Sequence, residues 1–398
     1  MHAELDFVCY DITMRPALRG NQWGHYMEYT KMEQYWIWLS SVEGIGVKRF
    51  YQLLSIFEDP EEVWNNIKAP ELKFLGAKAL SSLRAARDEK YFYSLFNALE
   101  QADCRAVTRV SEDYPSLLAE IYDPPATLYV RGDCPLDAER MFSIVGSRRV
   151  SRDGQRAARE IAAQLAREDV IVVSGMARGI DTCAHEGTLS AHGRTIAVLG
   201  CGVDVVYPPE NDHLAEQILD NGGAIISEYV PGTKPLPGHF PARNRIISGL
   251  TQGTLLVEGA KGSGAMITVN FATEQNRDVF AVPGSIYSPL SAMPNRLIVD
   301  GAHPVISAWE ILDYYRWADK PERLPEGAPA IELDETEKSI VLPLTEQELS
   351  FEEITNLTQI PPSKLNSHLT MLELRGIIVK VPGGMYRAYL DSPGNIMK

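Results

Sequence analysis

Cysteine is scarce and irregularly placed. The 398 residues hold five, Cys9, Cys104, Cys134, Cys183 and Cys201, with no C-x-x-C pair among them. An odd number without that spacing argues against a disulfide framework and a zinc site, and for reduced thiols in a cytoplasmic protein. Long apolar runs are missing as well. No stretch approaches the ~20 residues that span a bilayer. Residues 1–30 show no basic start followed by an apolar run, so neither a membrane span nor a signal peptide is expected. Positive charge is in deficit: 38 Lys and Arg face 53 Asp and Glu, a net charge of -15. Such an excess works against strong unspecific binding to duplex DNA.

The common nucleotide and hydrolase signatures are missing too. There is no G-x-x-x-x-G-K-S/T, which excludes a P-loop NTPase. The segment Gly200-Cys-Gly202-Val-Asp-Val205 lacks the third glycine of G-x-G-x-x-G, so no dinucleotide, and no cofactor, is expected. Val173-Ser174-Gly175 lacks the first glycine of a G-x-S-x-G elbow. His185-Glu186 is followed by Leu189 where a zinc-binding pair needs a second histidine, so His185 reads as an ordinary helix residue.

What is present is a series of short apolar runs, each leading into a glycine-rich turn. They are Phe142–Arg149, Val170–Gly179, Ile196–Gly202, Ala224–Glu228, Thr254–Gly259 and Val279–Gly284. The runs are β-rich and not alternating, which suits strands covered on both faces. Helix-length amphipathic segments lie between them, at Gln155–Arg167, His213–Asp220 and Gly264–Gln275. Strand, turn and helix in repetition predict an α/β fold with a doubly wound, mostly parallel sheet. Ligands of such sheets bind at the carboxyl ends of the strands, where these glycine turns fall. Arg148, Arg178, Arg243, Arg245 and Lys261 stand in those turns or at the following helix starts. Free backbone N–H groups together with cations suit a phosphate-bearing ligand.

Charge is unevenly spread. Residues 1–139 hold 14 basic and 22 acidic side chains, residues 140–312 hold 15 and 17, and residues 313–398 hold 9 and 14. The acidity lies mostly outside the central region, which leaves room there for a local basic groove. Ahead of it, Leu39–Arg49 has the hydrophobic-Gly-hydrophobic turn of a helix-hairpin-helix unit, and Leu72–Lys78 is a degenerate second copy. Tyr114–Gly132 reads as an extended lead-in to the sheet. Tyr229–Pro241 is a proline- and glycine-rich loop, feeding a helix that starts near Arg243. Near the C-terminus, Phe351–Ile354 and Ser363–Leu374 suit two helices of a helix-turn-helix, and Ile377–Arg387 a β wing. Its second helix carries Lys364 but also Glu373, so protein contact is at least as good a role as DNA reading.

Several linked segments resemble the DNA-processing protein A family (DprA, also called Smf). They are Ile144–Arg148, Ser174–Asp181, Leu199–Asp204 with Tyr207-Pro208, Phe240–Ser248, Val257–Ala265 and Val282–Gly284. The resemblance spans about Tyr114 to Leu312, and the flanking modules match more loosely. It implies an extended Rossmann-like domain that binds single-stranded DNA. It also implies a homodimer through that domain, protection of incoming DNA, and loading of the RecA recombinase during natural transformation, with no enzymatic activity. By position, the implied DNA contacts are Gly146, Ser147 and Arg148 in the first turn, and Gly175 and Arg178 in the second. Phe240, Arg243, Asn244 and Arg245 follow in the loop-to-helix segment, with Lys261, Ser263 and Gly264 in a further turn. Cations and N–H groups would hold phosphates, and the aromatic ring a base.

The expected organisation is a leader at 1–33, a helical helix-hairpin-helix or SAM-like domain at 34–110, and the Rossmann-like domain at 111–317. A linker at 318–333 and a winged-helix domain at 334–390 complete it. Two rival readings remain. The fold also resembles that of the phosphoribohydrolases, the lysine-decarboxylase-like family. They use a Pro-Gly-Gly-x-Gly-Thr turn, from which Glu258–Gly264 departs. Glu258 and Asp181 would then be an acid/base pair. Otherwise Asp181 caps a helix, and Glu258 orients loop amides or a basic residue. A protein scaffold without a ligand would leave the basic turns unexplained.

Overall fold

The computed structural model describes residues 29–318, 333–375, 377–381 and 384–388. The chain forms two compact units, Met1–Ala318 and Asp319–Lys398. The expected leader up to residue 28 and most of the expected linker, 319–332, lie outside the described residues.

The first unit opens with helices α1 (Lys31–Ser41), α2 (Val47–Leu54), α3 (Pro60–Asn65), α4 (Gly76–Ala86) and α5 (Glu89–Gln101). α1 starts sharply because Thr30 and Glu33 cap each other's backbone. It buries Trp36, Ile37, Trp38 and Leu39, and the Trp38 indole N–H donates to the Ala86 carbonyl at 2.9 Å. Between α1 and α2 the chain turns at Gly44, whose φ of +87° is open to glycine. α4 begins at Gly76, so both glycine turns read in the sequence join helical elements, and Glu43 meets Lys78 at 2.8 Å across them.

The sheet follows, with strands β1 (Arg105–Thr108), β2 (Thr127–Arg131), β3 (Met141–Val145), β4 (Ile171–Ser174), β5 (Thr195–Leu199), β6 (Ala224–Ser227), β7 (Gly253–Leu256), β8 (Asp278–Ala281) and β9 (His303–Pro304). Their spatial order is β1-β2-β6-β5-β4-β3-β7-β8-β9. Strands β3 to β9 pair in parallel, while β2 joins β6, and β1 joins β2, antiparallel. Every residue of β3 to β7 is buried. That explains the lack of alternation in the sequence: helices cover both faces. The expected lead-in contributes β2, so it is part of the sheet.

The intervening helices are α6 (Ser116–Ala119), α7 (Arg152–Arg167), α8 (Ile180–Ser190), α9 (Asp212–Asp220), α10 (His239–Gly249), α11 (Ala265–Glu274), α12 (Ala292–Val299) and α13 (Trp309–Tyr315). From β3 the chain winds one way through β4, β5 and β6, then returns to the other side of β3 as β7. The crevice between the β3 and β7 ends is therefore the topological switch point. One element starts earlier than its sequence suggested. α10 begins at His239, not near Arg243, because Pro241 falls in the first turn, where no backbone N–H is needed.

The second unit contains α14 (Glu335–Glu346), β10 (Leu349–Ser350), α15 (Phe351–Thr358), α16 (Pro362–Leu374), β11 (Ile378–Val381) and β12 (Met385–Ala388). The strands form an antiparallel sheet in the order β10-β12-β11. This is the winged-helix pattern. Among the described residues no helix is long and apolar enough to cross a membrane.

Candidate nucleic-acid interface

A pocket of about 660 Å³ opens at the switch point. The turn after β3 gives it Gly146, Ser147, Arg148 and Arg149, and the turn after β7 gives it Lys261, Gly262, Ser263 and Gly264. α10 supplies Phe240, Pro241, Arg243, Asn244 and Ile247. Arg148, Arg149 and Lys261 are exposed and form no ion pair among the described residues. Asp181 is the single carboxylate in the lining. In a chain of net charge -15, this is a concentrated positive site.

Many backbone amides around the pocket are hydrogen-bonded within the turns themselves. Ser147 N–H donates to the Glu258 carbonyl at 2.8 Å, and the Ser147 hydroxyl accepts from Arg149 N–H at 3.1 Å, which stiffens the first turn. The N-terminus of α7 is closed by Ser151, whose backbone N–H and hydroxyl donate to the Glu258 carboxylate. In the second turn, Asp181 accepts from Ala177 N–H at 3.3 Å and is further stabilised by the Gly175 amide. The N-caps of α10 and α11 are Gly238 and Gly264, which have no side chain to offer. The first turns of both helices line the pocket; Ala265 N–H donates to Ser263 Oγ at 3.4 Å and Met266 N–H to the Ser263 carbonyl at 3.1 Å, and the helix dipoles favour an anion there.

Arg243 forms the floor. It is 4% exposed, and its guanidinium donates to the Gly175 carbonyl at 2.6 Å, to the Val198 carbonyl, and to Asn244 Oδ1 at 3.1 Å. It thus fastens the ends of β4 and β5 beneath the site. Burial lowers its pKa to about 10, against the pull of Asp181. Burial likewise pushes the Asp181 carboxyl up to about 6, opposed by Arg243, the Ala177 amide and Arg148. Gly175 is required between them: a Cβ there would lie 2.6 Å from Arg243 Nη2 and 2.7 Å from Asp181 Oδ2.

Phe240 is half-buried at the mouth, its ring centroid 5.3 Å from that of Tyr207 and tilted 40° to it. Tyr207 also lines the pocket and is 38% exposed. Two rings beside three cations make a surface for nucleobases as well as phosphates.

Most of the chain has relatives of the same make-up. The family model described as DNA recombination-mediator protein A matches residues 105–316. The chain belongs to this family. A second model, the DprA winged helix domain, matches residues 324–384. Protein Smf of Synechocystis is 32% identical over 394 residues, covering 89% of this chain and 98% of that protein. DNA processing protein DprA of Streptococcus pneumoniae is 45% identical over 199 residues, 50% of this chain and 70% of that one. The X-ray structure of the Streptococcus pneumoniae protein superposes with a TM-score of 0.60 at 33% identity, covering 72% of this chain and 98% of its own.

Within this family member the residues implied by resemblance are not all gathered in one place. Gly146, Ser147, Arg148, Phe240, Arg243, Asn244, Lys261, Ser263 and Gly264 line the pocket together. Gly175 and Arg178 lie in a small adjoining recess, which Arg148, Tyr207, Phe240 and Arg243 share. Arg178 is held there by a two-pronged ion pair with Glu210, through Nε to Oε1 and through Nη2 to Oε2 at 2.9 Å. Arg245 is not brought in. It lies two positions from Arg243, which is the far side of a helix. It is 3% exposed and pairs with Glu228 at 2.6 Å and Asp123 at 3.4 Å.

Arg149, Tyr207 and Asp181 are lining residues that were not among the implied contacts. Arg149 was legible as a second cation in the same turn. Tyr207 was not, because only the fold brings it beside Phe240. Of the two carboxylates, Glu258 orients the Ser151 backbone and Asp181 the Ala177 amide. Asp181 is one residue inside α8 and does not cap it, since the cap is Gly179. His185 is a buried α8 residue whose pKa burial lowers to about 3. Thr195 Oγ1 donates to the Val172 carbonyl at 2.6 Å, so His185 Nδ1 donates to Thr195 at 2.7 Å as a neutral imidazole.

Proposed function

We propose that this recombination mediator binds single-stranded DNA at the carboxyl end of its sheet and delivers it to a RecA recombinase, as in the uptake of DNA by natural transformation. The observation that carries the reading is the pocket lining: Arg148, Arg149, Lys261 and Arg243 against the single carboxylate Asp181, with Phe240 and Tyr207 at hand. A single strand suits it better than a duplex. Ring faces stack on unpaired bases, whereas in a duplex those faces are already covered. Binding Arg148→Ala/Lys261→Ala to a labelled oligothymidine tests the site. Loss of affinity with an unchanged melting temperature is expected, and parental affinity would refute the assignment. RecA delivery predicts faster onset of RecA ATPase activity on coated single strands in the presence of the protein.

The reading extends to three further points. The protein is a homodimer through the sheet domain: Val299 and Ile306, beside the edge strand β9, are 77% and 78% exposed. It works in the cytoplasm, where the DNA and the recombinase are. It is not an enzyme, because both carboxylates available for acid/base work hold backbone: Glu258 the start of α7, Asp181 the second turn. Hydrolysis of a nucleoside monophosphate that is lost in Glu258→Gln would transfer the case to the phosphoribohydrolase reading.

A further inference from the structure

Beyond the pocket's rim, the loop after β8 holds two large apolar side chains in solvent. Ile286 is 82% exposed and Tyr287 89%. The loop that carries them is firmly built. Gly284 N–H donates to Asn295 Oδ1 at 3.1 Å, and the Gly284 carbonyl accepts from Asn295 Nδ2 at 2.9 Å. The Ser285 carbonyl accepts from Ser288 N–H at 3.0 Å, and Ser285 Oγ from Tyr287 N–H at 3.3 Å. The two side chains are thus presented by a hydrogen-bonded turn.

That turn is continuous with the basic site. Gly259, two residues before Lys261, donates its N–H to the Leu290 carbonyl at 2.7 Å and accepts from Met293 N–H at 3.0 Å. Leu290, at the end of the same loop, lines the pocket. Residues 282–292 contain no charged side chain, so the loop adds apolar surface rather than phosphate binding.

Resting on the single-stranded DNA reading, we propose that the Ile286–Tyr287 turn is a second base platform, on which bases stack once the strand has passed Lys261. Proteins that track a single strand alternate cations for the backbone with rings for successive bases. Lys261 and Tyr287 on two joined loops give that alternation. A tyrosine also tolerates exposure when no strand is bound, since its hydroxyl stays hydrated. A folded protein is the poorer occupant. Two apolar side chains set among Ser285, Ser288 and Pro289 fall well short of the ~800 Å² per partner that a stable protein interface uses.

The test compares oligothymidines of about 4 and about 15 nucleotides, a range within known single-strand site sizes. Tyr287→Ala should weaken the longer strand roughly tenfold. It should leave the shorter strand and the salt slope at parental values, and Tyr287→Phe should match the parent on both. Unchanged affinity of Tyr287→Ala for the longer strand, or an equal loss on both, overturns the proposal. So does a Tyr287→Ala protein that has turned monomeric, because the turn would then be a contact between copies. Lys261→Ala separates the two levels. If it weakens both strands while Tyr287→Ala weakens neither, the pocket stands and the platform falls. If both variants are silent, the pocket reading falls as well.

Discussion

Phe240 and Lys261 line one pocket, and variants of the two would separate the two kinds of contact proposed for it. Phe240→Ala should cost about 1–3 kcal/mol of binding and leave the salt dependence unchanged, because no counterion-releasing contact is lost. Lys261→Ala should weaken binding and flatten the log-log salt slope by about 0.7. Titrations at two or more salt concentrations read both, and identical slope changes in the two variants would refute the division. Arg243 is a poor choice for the same experiment. Its guanidinium carries the Gly175 and Val198 carbonyls, so its removal strips buried acceptors of their donor and lowers the melting temperature. Asp181 adds a pH dependence. Its carboxyl titrates at about 6 in the folded chain against an ordinary 3.8, so folding favours the protonated form. The resulting stability is present below about pH 4 and is lost as the pH rises through 6. The pocket loses its one negative charge as the pH falls through about 6. DNA affinity should therefore rise between pH 7.5 and 5.5, and Asp181→Asn should flatten that rise. An equal rise in both proteins would remove Asp181 as its source.

At the scale of elements, the strands were the most legible part of the chain. Phe142–Val145, Ile171–Ser174 and Ile196–Leu199 are buried on both faces, and such strands write themselves as unbroken apolar runs ending in glycine. The glycine turns after β3 and β7 line the pocket, as their place at the strand ends implied. The arginines of α10 were less legible. Arg243 and Arg245 look equivalent as letters, but a helix turns them to opposite sides, one to the pocket floor and one to Glu228 and Asp123. Finding this needed the helix start, which the His239-Phe-Pro241 segment concealed as a loop. Tyr207 was hidden for another reason: it follows β5 and Phe240 follows β6, and only strand pairing brings their loops together. The winged-helix element carries Glu352, Glu353 and Glu373 beside Lys364, and Arg375 is paired with Glu337 at 2.7 Å. Deleting residues 319–398 should leave single-strand affinity nearly intact, since the pocket lies wholly in the first unit. A loss of about tenfold, equal to ~1.4 kcal/mol, in a folded truncation would assign DNA contacts to the second unit.

For the whole molecule, net charge and local charge act in opposite directions. A chain at -15 repels nucleic acid at long range, and the proposed binding would rely on a pocket where four cations meet one carboxylate. A dimer would double that site along one strand, and a short linker between sites raises the effective concentration of the second. Val299→Glu combined with Ile306→Glu should give a monomer in sedimentation and weaken binding to long strands more than to short ones. A dimer that survives both changes places the interface elsewhere. On the proposed function, the pocket reads unpaired bases as well as phosphates. The decisive experiment titrates the full chain with one labelled sequence, once as a single strand and once as a duplex, at two salt concentrations. The single strand should bind more tightly at both, with a gap that persists at high salt because stacking does not release counterions. Equal or tighter binding of the duplex would contradict it.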